Sequence, residues 1–250
     1  MAKQKGIFKI EGTLDDVTFF RTKDGYLVRQ NNPVTADRIA TDPAFQRTRE
    51  NGAEFGRAGK AGKVLRTAFR SLLQHVQDSR MVSRLTTAMM KVIQADTTSE
   101  RGLRNVIDGE AALLKGFDFN ENGKLGTTLY APYTATIDRV SGALSVEVPP
   151  FIPVNAIAAP AGATHYKVLS AGAEVDFENE SFVMKETSTA ELPIDGAATT
   201  ALSLVSQVSA ASTKPLFVIL GIEFYQQVNG TLYSLKNGAY NALQIVAVEG

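Results

Sequence analysis

Two boundaries fall together near Lys115. Apolar spacing at helical intervals gives way there to short alternating runs, and the charge balance changes sign. Residues 1–115 hold 20 Lys and Arg against 13 Asp and Glu, a net of +7, whereas residues 116–250 hold 6 against 13, a net of −7. The formal charge of zero thus belongs to a dipolar chain. Opposite charge on two segments favours docking within one molecule or head-to-tail association between copies, because complementary potentials steer encounter and fix orientation. The reading is two domains: a basic β-ribbon and helical domain over 1–115 and an acidic β-sandwich domain over 116–250.

A chain of 250 residues is long enough for two such cores. It has no cysteine, which excludes disulfides, thiolate nucleophiles and Cys-ligated metal. Residues 1–12 offer only Ile7, Phe8 and Ile10 as an apolar patch, too short for a secretory segment. No run approaches the roughly 18 apolar residues of a membrane span. The expectation is a chain that does not insert in a membrane and is cytoplasmic as synthesised, its final location left open.

Residues 7–11 and 13–20 alternate apolar and polar, and Asp24-Gly25 has the turn chemistry to fold back a third strand over 26–30. Asn31, Asn32 and Pro33 end this ribbon. Asp42-Pro43 then offers an N-cap followed by proline at the first helical position. The helix is predicted to reach about residue 77, with Phe55, Ala58, Ala61, Leu65, Ala68, Phe69, Leu72, Leu73 and Val76 on its apolar arc, unless Asn51-Gly52 breaks it. A second helix over 80–95, capped by Ser79, carries Met81, Val82, Leu85, Met89, Val92 and Ile93 on its apolar side. A third follows Ser99, anchored by Leu103, Ile107 and Leu114, and the three read as a helical bundle.

Beyond residue 127 the spacing is that of strands, at 127–136, 143–148, 165–177, 181–187, 200–205, 216–228, 231–236 and 240–248. Residues 216–224 are apolar on both alternating faces, as a central strand requires, and Asn229-Gly230 is a hairpin turn. The fold class is therefore read as α+β, an N-terminal β-ribbon plus helical bundle and a C-terminal immunoglobulin-like β-sandwich.

Gly52, Gly56 and Gly59 fall within about 60° of one another on a helical wheel, opposite the apolar arc, and Lys63 and Arg70 continue the same line. Three interior glycines cost about 3 kcal/mol relative to alanine. Close approach of another backbone offsets that cost, either at an internal helix crossing or in a contact with another subunit. In the ribbon, Phe8, Ile10 and Phe19 mark a second candidate contact, whose open edge could accept a neighbour's strand.

Other patterns carry less. Residues 56–63 imitate a phosphate loop, but the glycine five places before a Gly-Lys pair and the Ser or Thr after it are missing. Arg57, Lys60, Lys63 and Arg66 advance by three, so each step drifts about 60° and the charge spreads around the helix. Nucleic-acid binding by the basic half is the second reading. Asp118, Asn120, Asn122 and Gly123 match the opening of a calcium-binding EF-hand loop, yet its twelfth position is Leu129, and a polar turn is preferred. His75 and His165 lie in different predicted domains without triad or zinc spacing, and Asp15-Asp16 and Glu178-Glu180 read as turn acids. No catalytic residue, metal site or cofactor is assigned.

Residues 12–20 (GTLDDVTFF), 26–29 (YLVR), 42–51 (DPAFQRTREN) and 225–241 (YQQVNGTLYSLKNGAYN) resemble a family of uncharacterised hypothetical proteins common in Bacteroidota genomes. Over the ribbon and the helix after it, the chain is also similar to a broader group of phage-like and mobile-element hypothetical proteins. What the resemblance implies is a structural role, without a mechanism. Together these readings predict a non-enzymatic, self-associating structural subunit of a filament, tube or virion-like assembly, a homo-oligomer joined head to tail.

Overall fold

Turn chemistry organises the N-terminal segment. Strands β1 (Ala2–Lys3), β2 (Gly12–Leu14), β3 (Val17–Thr22) and β4 (Gly25–Gln30) form an antiparallel sheet in the order β1-β4-β3-β2. Gly25, at φ +109°, turns β3 into β4 as expected, but Asp15, at φ +52°, makes a further hairpin inside the stretch read as one strand. Residues 7–11 form no strand. The Gln4 side chain draws them into a loop instead, accepting from Ile10 N–H (3.0 Å) and donating to Ile10 C=O (3.1 Å). A side-chain amide competes here with a strand ladder. In the computed structural model residues 1–31 and 34–250 are described; Asn32 and Pro33, read above as part of the ribbon's end, lie outside the described residues.

Helix α1 (Ala36–Thr41) is capped by Thr35, and Asp42 caps a 3₁₀ turn at Pro43–Phe45 by accepting from Ala44 N–H (2.9 Å). Helix α2 (Gln46–Ala68) passes through Asn51-Gly52 without a break. After a short α3 (Arg70–Leu73), α4 (Met81–Gln94) has Arg80 at its N-cap and is not capped by Ser79; the Asp78 carboxylate before it accepts from Arg80 N–H (2.7 Å) and pairs with Arg84.

The expected third helix does not form. Asp96 accepts from the N–H groups of Thr98 (2.8 Å), Ser99 (2.9 Å) and Asn105 (3.1 Å), organising a loop where a helix would need those donors. These bonds, led by that of Ser99, hold its carboxyl down at about 2. Leu103 and Ile107 are exposed, and Leu114 is buried in a 3₁₀ turn at Ala111–Leu114.

The strand predicted over 127–136 divides into α5 (Leu125–Thr128) and β5 (Thr134–Asp138). Then follow β6 (Ala143–Val148), α6 (Pro153–Ala156), β7 (His165–Asp176), β8 (Ser181–Ser188), β9 (Leu192–Pro193), β10 (Leu202–Gln207), β11 (Leu216–Val228), β12 (Thr231–Ser234) and β13 (Ala242–Glu249). One antiparallel sheet has the order β10-β6-β5; the other runs β12-β11-β7-β8, with β13 also on β11 and β9 on β7.

Because side chains alternate along a strand, β7 and β11 serve two layers. Ala171, Ala173, Phe217 and Ile219 pack with Leu65, Phe69, Leu85 and Met89 of the helical segment. Val168, Val218 and Leu220 pack with Leu144, Val146 and Leu204 of the smaller sheet. The approach is close: a Cβ at Gly172 would stand 2.5 Å from Leu144 Cδ1.

The helices therefore share a core with the larger sheet and make no bundle of their own. Compact units divide at Met1–Asn51 and Gly52–Gly250, and the expected boundary near Lys115 crosses the larger unit. A change in pattern marks where strands begin, but the apolar arc of α2 is covered by strands more than a hundred residues later. The fold is mixed α and β with several antiparallel sheets.

Candidate functional site

Helix α2 presents two unlike arcs. Ala58, Ala61, Leu65 and Ala68 are buried as the spacing predicts, followed by Phe69 and Leu72. Phe55 is not: it is 60% exposed. On the buried arc lies a charge that the stripe passed over. Glu54 accepts from Gly102 N–H (2.8 Å) and from Arg104 Nε (2.8 Å) and Nη2 (3.0 Å), and the guanidinium holds its carboxyl below the usual range against the opposing effect of burial. A carboxylate among apolar wheel positions was the available signal; its partner, fifty residues away, had none.

The glycines separate in the same way. A Cβ at Gly62 would lie 3.6 Å from Leu85 Cγ, so Gly62 serves the internal crossing with α4. A Cβ at Gly52, Gly56 or Gly59 would meet nothing within 4 Å. The internal reading of those three is thus displaced to Gly62, and their line is open.

The basic residues are not equivalent either. Arg57 donates to Gly102 C=O (2.6 Å) and Arg104 C=O (3.2 Å), and Lys60 pairs with Glu180 (2.7 Å) in the turn between β7 and β8. Lys63 and Arg70 have no ion-pair partner among the described residues. With Arg66, Thr67, Leu73, Gln74 and Met81 they line an open groove of about 450 Å³. Arg66 Nε donates to Gly62 C=O (3.3 Å) and has no acidic partner either. Beyond Gly59 the open arc becomes cationic.

The ribbon candidates lie apart from one another. Phe8 is 87% exposed and Ile10 is also exposed, both in the Gln4 loop, whereas Phe19 is half-buried in β3 opposite Val28.

One polar cavity was not foreseen. Ser71, His75, Lys167, Glu186, Glu223 and Tyr225 line a space of about 260 Å³. Glu223 accepts from Tyr225 Oη (2.6 Å) and stands 3.8 Å from His75 Nδ1. Burial, then the bond to Glu223, raises the Tyr225 phenol. Ser71 Oγ donates to Glu186 (3.0 Å), so the cavity orients an imidazole–carboxylate contact without aiming a nucleophile at it. His165 instead contacts its neighbour Thr164 (3.0 Å).

The other motifs resolve locally. Asp118 accepts from Leu125 N–H (3.0 Å) and Gln244 Nε2 (2.9 Å), and Asn120 donates to Ala239 and Asn241 C=O (3.0 and 2.8 Å), pinning a turn to the start of β13. Among the described residues no group of three or more His, Asp and Glu is arranged for a metal ion. Residues 56–63 lie inside continuous helix, where backbone N–H groups are already bonded and cannot cradle a phosphate. Among the described residues no helix is long and apolar enough to cross a membrane.

No protein-family model matches this chain, and no curated protein matches it. The crystal structure of the human F-spondin reeler domain (fragment 1) is similar over 50% of this chain and 99% of its own, at 12% identity and a TM-score of 0.18. A likeness of that size carries no argument about fold or role.

Proposed function

We propose that this chain is a non-enzymatic structural subunit that associates with copies of itself into a filament, tube or virion-like assembly. In this reading the paired sheets are an immunoglobulin-like β-sandwich and the ribbon is an assembly element. The carrying observation is that no described residue of Met1–Asn51 is buried, although Leu14, Val17, Phe19 and Val28 share one ribbon face. A sheet this small whose strand residues are at most half-buried is marginal in water. A second copy offers the missing surface, and apolar burial contributes roughly 25 cal/mol per Å². The edges are short, two residues in β1 and three in β2, so the face rather than the edge supplies the contact area.

Size-exclusion chromatography with light scattering, at high protein concentration across a salt series, tests this. Oligomers that dissociate as salt rises are expected, and a monomer at low salt overturns the reading. Removing residues 1–30 should abolish assembly while leaving the far-UV spectrum of the remainder ordered.

The groove of Lys63, Arg66 and Arg70 favours one alternative, nucleic-acid binding through phosphate contacts. A mobility-shift assay at two salt concentrations separates the two, and no shift at low salt eliminates it.

A further inference from the structure

Resting on the self-association reading, we propose that the cationic groove of α2 in one copy docks into a separate acid-lined cavity of the same unit in a second copy. The cavity, about 720 Å³, is lined by Glu110, Asp176, Glu178 and Lys214 with Val106 and Phe177 among its apolar walls. A smaller pocket of about 60 Å³ shares Asp176 and Lys214 and adds Glu174. Four carboxylates thus face one ammonium. That ammonium is committed: Lys214 Nζ lies 2.8 Å from Asp176, whose carboxyl is held far below its usual range, first by Asn179 and then by Lys214.

Glu174 is the second, independent observation. It is 7% exposed, and its Oε2 is buried with no hydrogen-bond partner among the described residues. A carboxylate oxygen left in that state is destabilising, and a cationic donor from outside would offset the cost. The small pocket has room for an ammonium or guanidinium head, and the larger cavity has apolar wall for the stem behind it.

Groove and cavity belong to one compact unit, Gly52–Gly250, and share no lining residue, so within one copy they are separate surfaces. Lys60 meets Glu180 in the turn just after Asp176, and Ser71 meets Glu186 toward the far end of β8. From Lys60 to Arg66 the helix rises about 9 Å along its axis, and Arg70 follows beyond its last residue, Ala68. Charge complementarity selects a second copy: three cations without acidic partners among the described residues against a cavity three charges in excess on the acid side. Donor and acceptor are different patches, so the contact is heterologous and extends into a ring or an open filament.

Sedimentation velocity of the full-length chain at low salt tests the pairing. Lys63→Glu with Arg70→Glu removes the donor, and Glu110→Lys with Glu178→Lys removes the acceptor; all four side chains are exposed. Each double variant should self-associate at least about tenfold more weakly, as expected for loss of close charge pairs. Their equimolar mixture should assemble again with the two variants alternating, native donor on native acceptor and reversed donor on reversed acceptor. Combining all four changes in one chain should restore longer assemblies. Glu174→Gln should weaken association without changing the monomer's melting temperature downward.

If the wild type assembles and both variants assemble equally well, or if the mixture fails to complement, the docking is overturned while self-association stands. A wild type that stays monomeric overturns the reading beneath it. Glu110 caps the 3₁₀ turn through Ala112 N–H (3.1 Å), so a far-UV spectrum accompanies each variant. Should the lysine variant unfold, Glu178→Lys alone replaces it, with the same outcomes deciding.

Discussion

On one side of α2, Gly62 admits Leu85 of α4 to within 3.6 Å of where a Cβ would stand; on the other, Gly52, Gly56 and Gly59 have empty space to 4 Å. The residue type is the same and the helix is the same. Each glycine costs about 1 kcal/mol relative to alanine in a helix interior. At Gly62 close packing inside the copy offsets that cost, whereas at the other three nothing inside the copy does. The difference teaches that a line of small residues records how near something may come, and only the fold says whether that something belongs to the same chain.

The largest effect that could break this contrast lies at Leu85, which is fully buried on the covered side. Leu85→Ala should lower unfolding stability by about 2–5 kcal/mol, seen as a lower denaturant midpoint with an unchanged slope. Phe55→Ala on the open side should change monomer stability by no more than about 0.5 kcal/mol. Comparable losses at the two positions would mean that Phe55 is covered in the folded monomer, and the two arcs would no longer differ.

Several elements were legible because local chemistry determines them. Strands β6, β8 and β11 fall within a residue or two of their predicted bounds, β11 because both its faces are buried through Phe224. Asn229-Gly230, at φ +50° and +82°, makes the hairpin its residue types demand. What failed depended on side-chain hydrogen bonds, some of them local, and on distant partners, neither of which apolar spacing displays. The alternation at residues 7–11 lost to the Gln4 amide, and the apolar residues after Ser99 lost to the Asp96 carboxylate. Periodicity shows which arc of α2 is apolar, yet cannot show that β7 and β11 cover it. For the same reason the glycine line and Lys63 and Arg70 were visible as candidates, while His75–Glu223 and the orphaned Glu174 oxygen were not.

A change of intermediate size sharpens the contrast by separating fold from association. Replacing Gly52, Gly56 and Gly59 by alanine should stabilise the monomer by up to about 1 kcal/mol per site, because each new methyl enters open space at a helical position. The melting temperature of a dilute sample should therefore rise. Light scattering at high concentration should show weaker association, because the added methyl groups hold a neighbouring surface off. A rise in stability with association intact would remove the glycines from any interface and leave the charges to explain assembly alone. Gly62→Ala should gain at least as much stability without affecting association, since its methyl would enter ordinary contact with Leu85 inside the copy.

The smallest effect concerns the border between the arcs. Lys60 and Glu180 pair at 2.7 Å, but their side chains are 63% and 43% exposed, and solvent-exposed pairs of this kind couple by about 0.2–1 kcal/mol. A double-mutant cycle with Lys60→Met and Glu180→Gln should return a value in that range at low salt and close to zero at about 1 M, where the screening length falls to about 3 Å. A coupling well above that range, persisting at high salt, would mean that the basic helix is already neutralised by its own acidic turn. The +7 and −7 halves would then meet chiefly within each copy, and Lys63 and Arg70 would be a residue of that internal docking rather than a surface kept for another molecule.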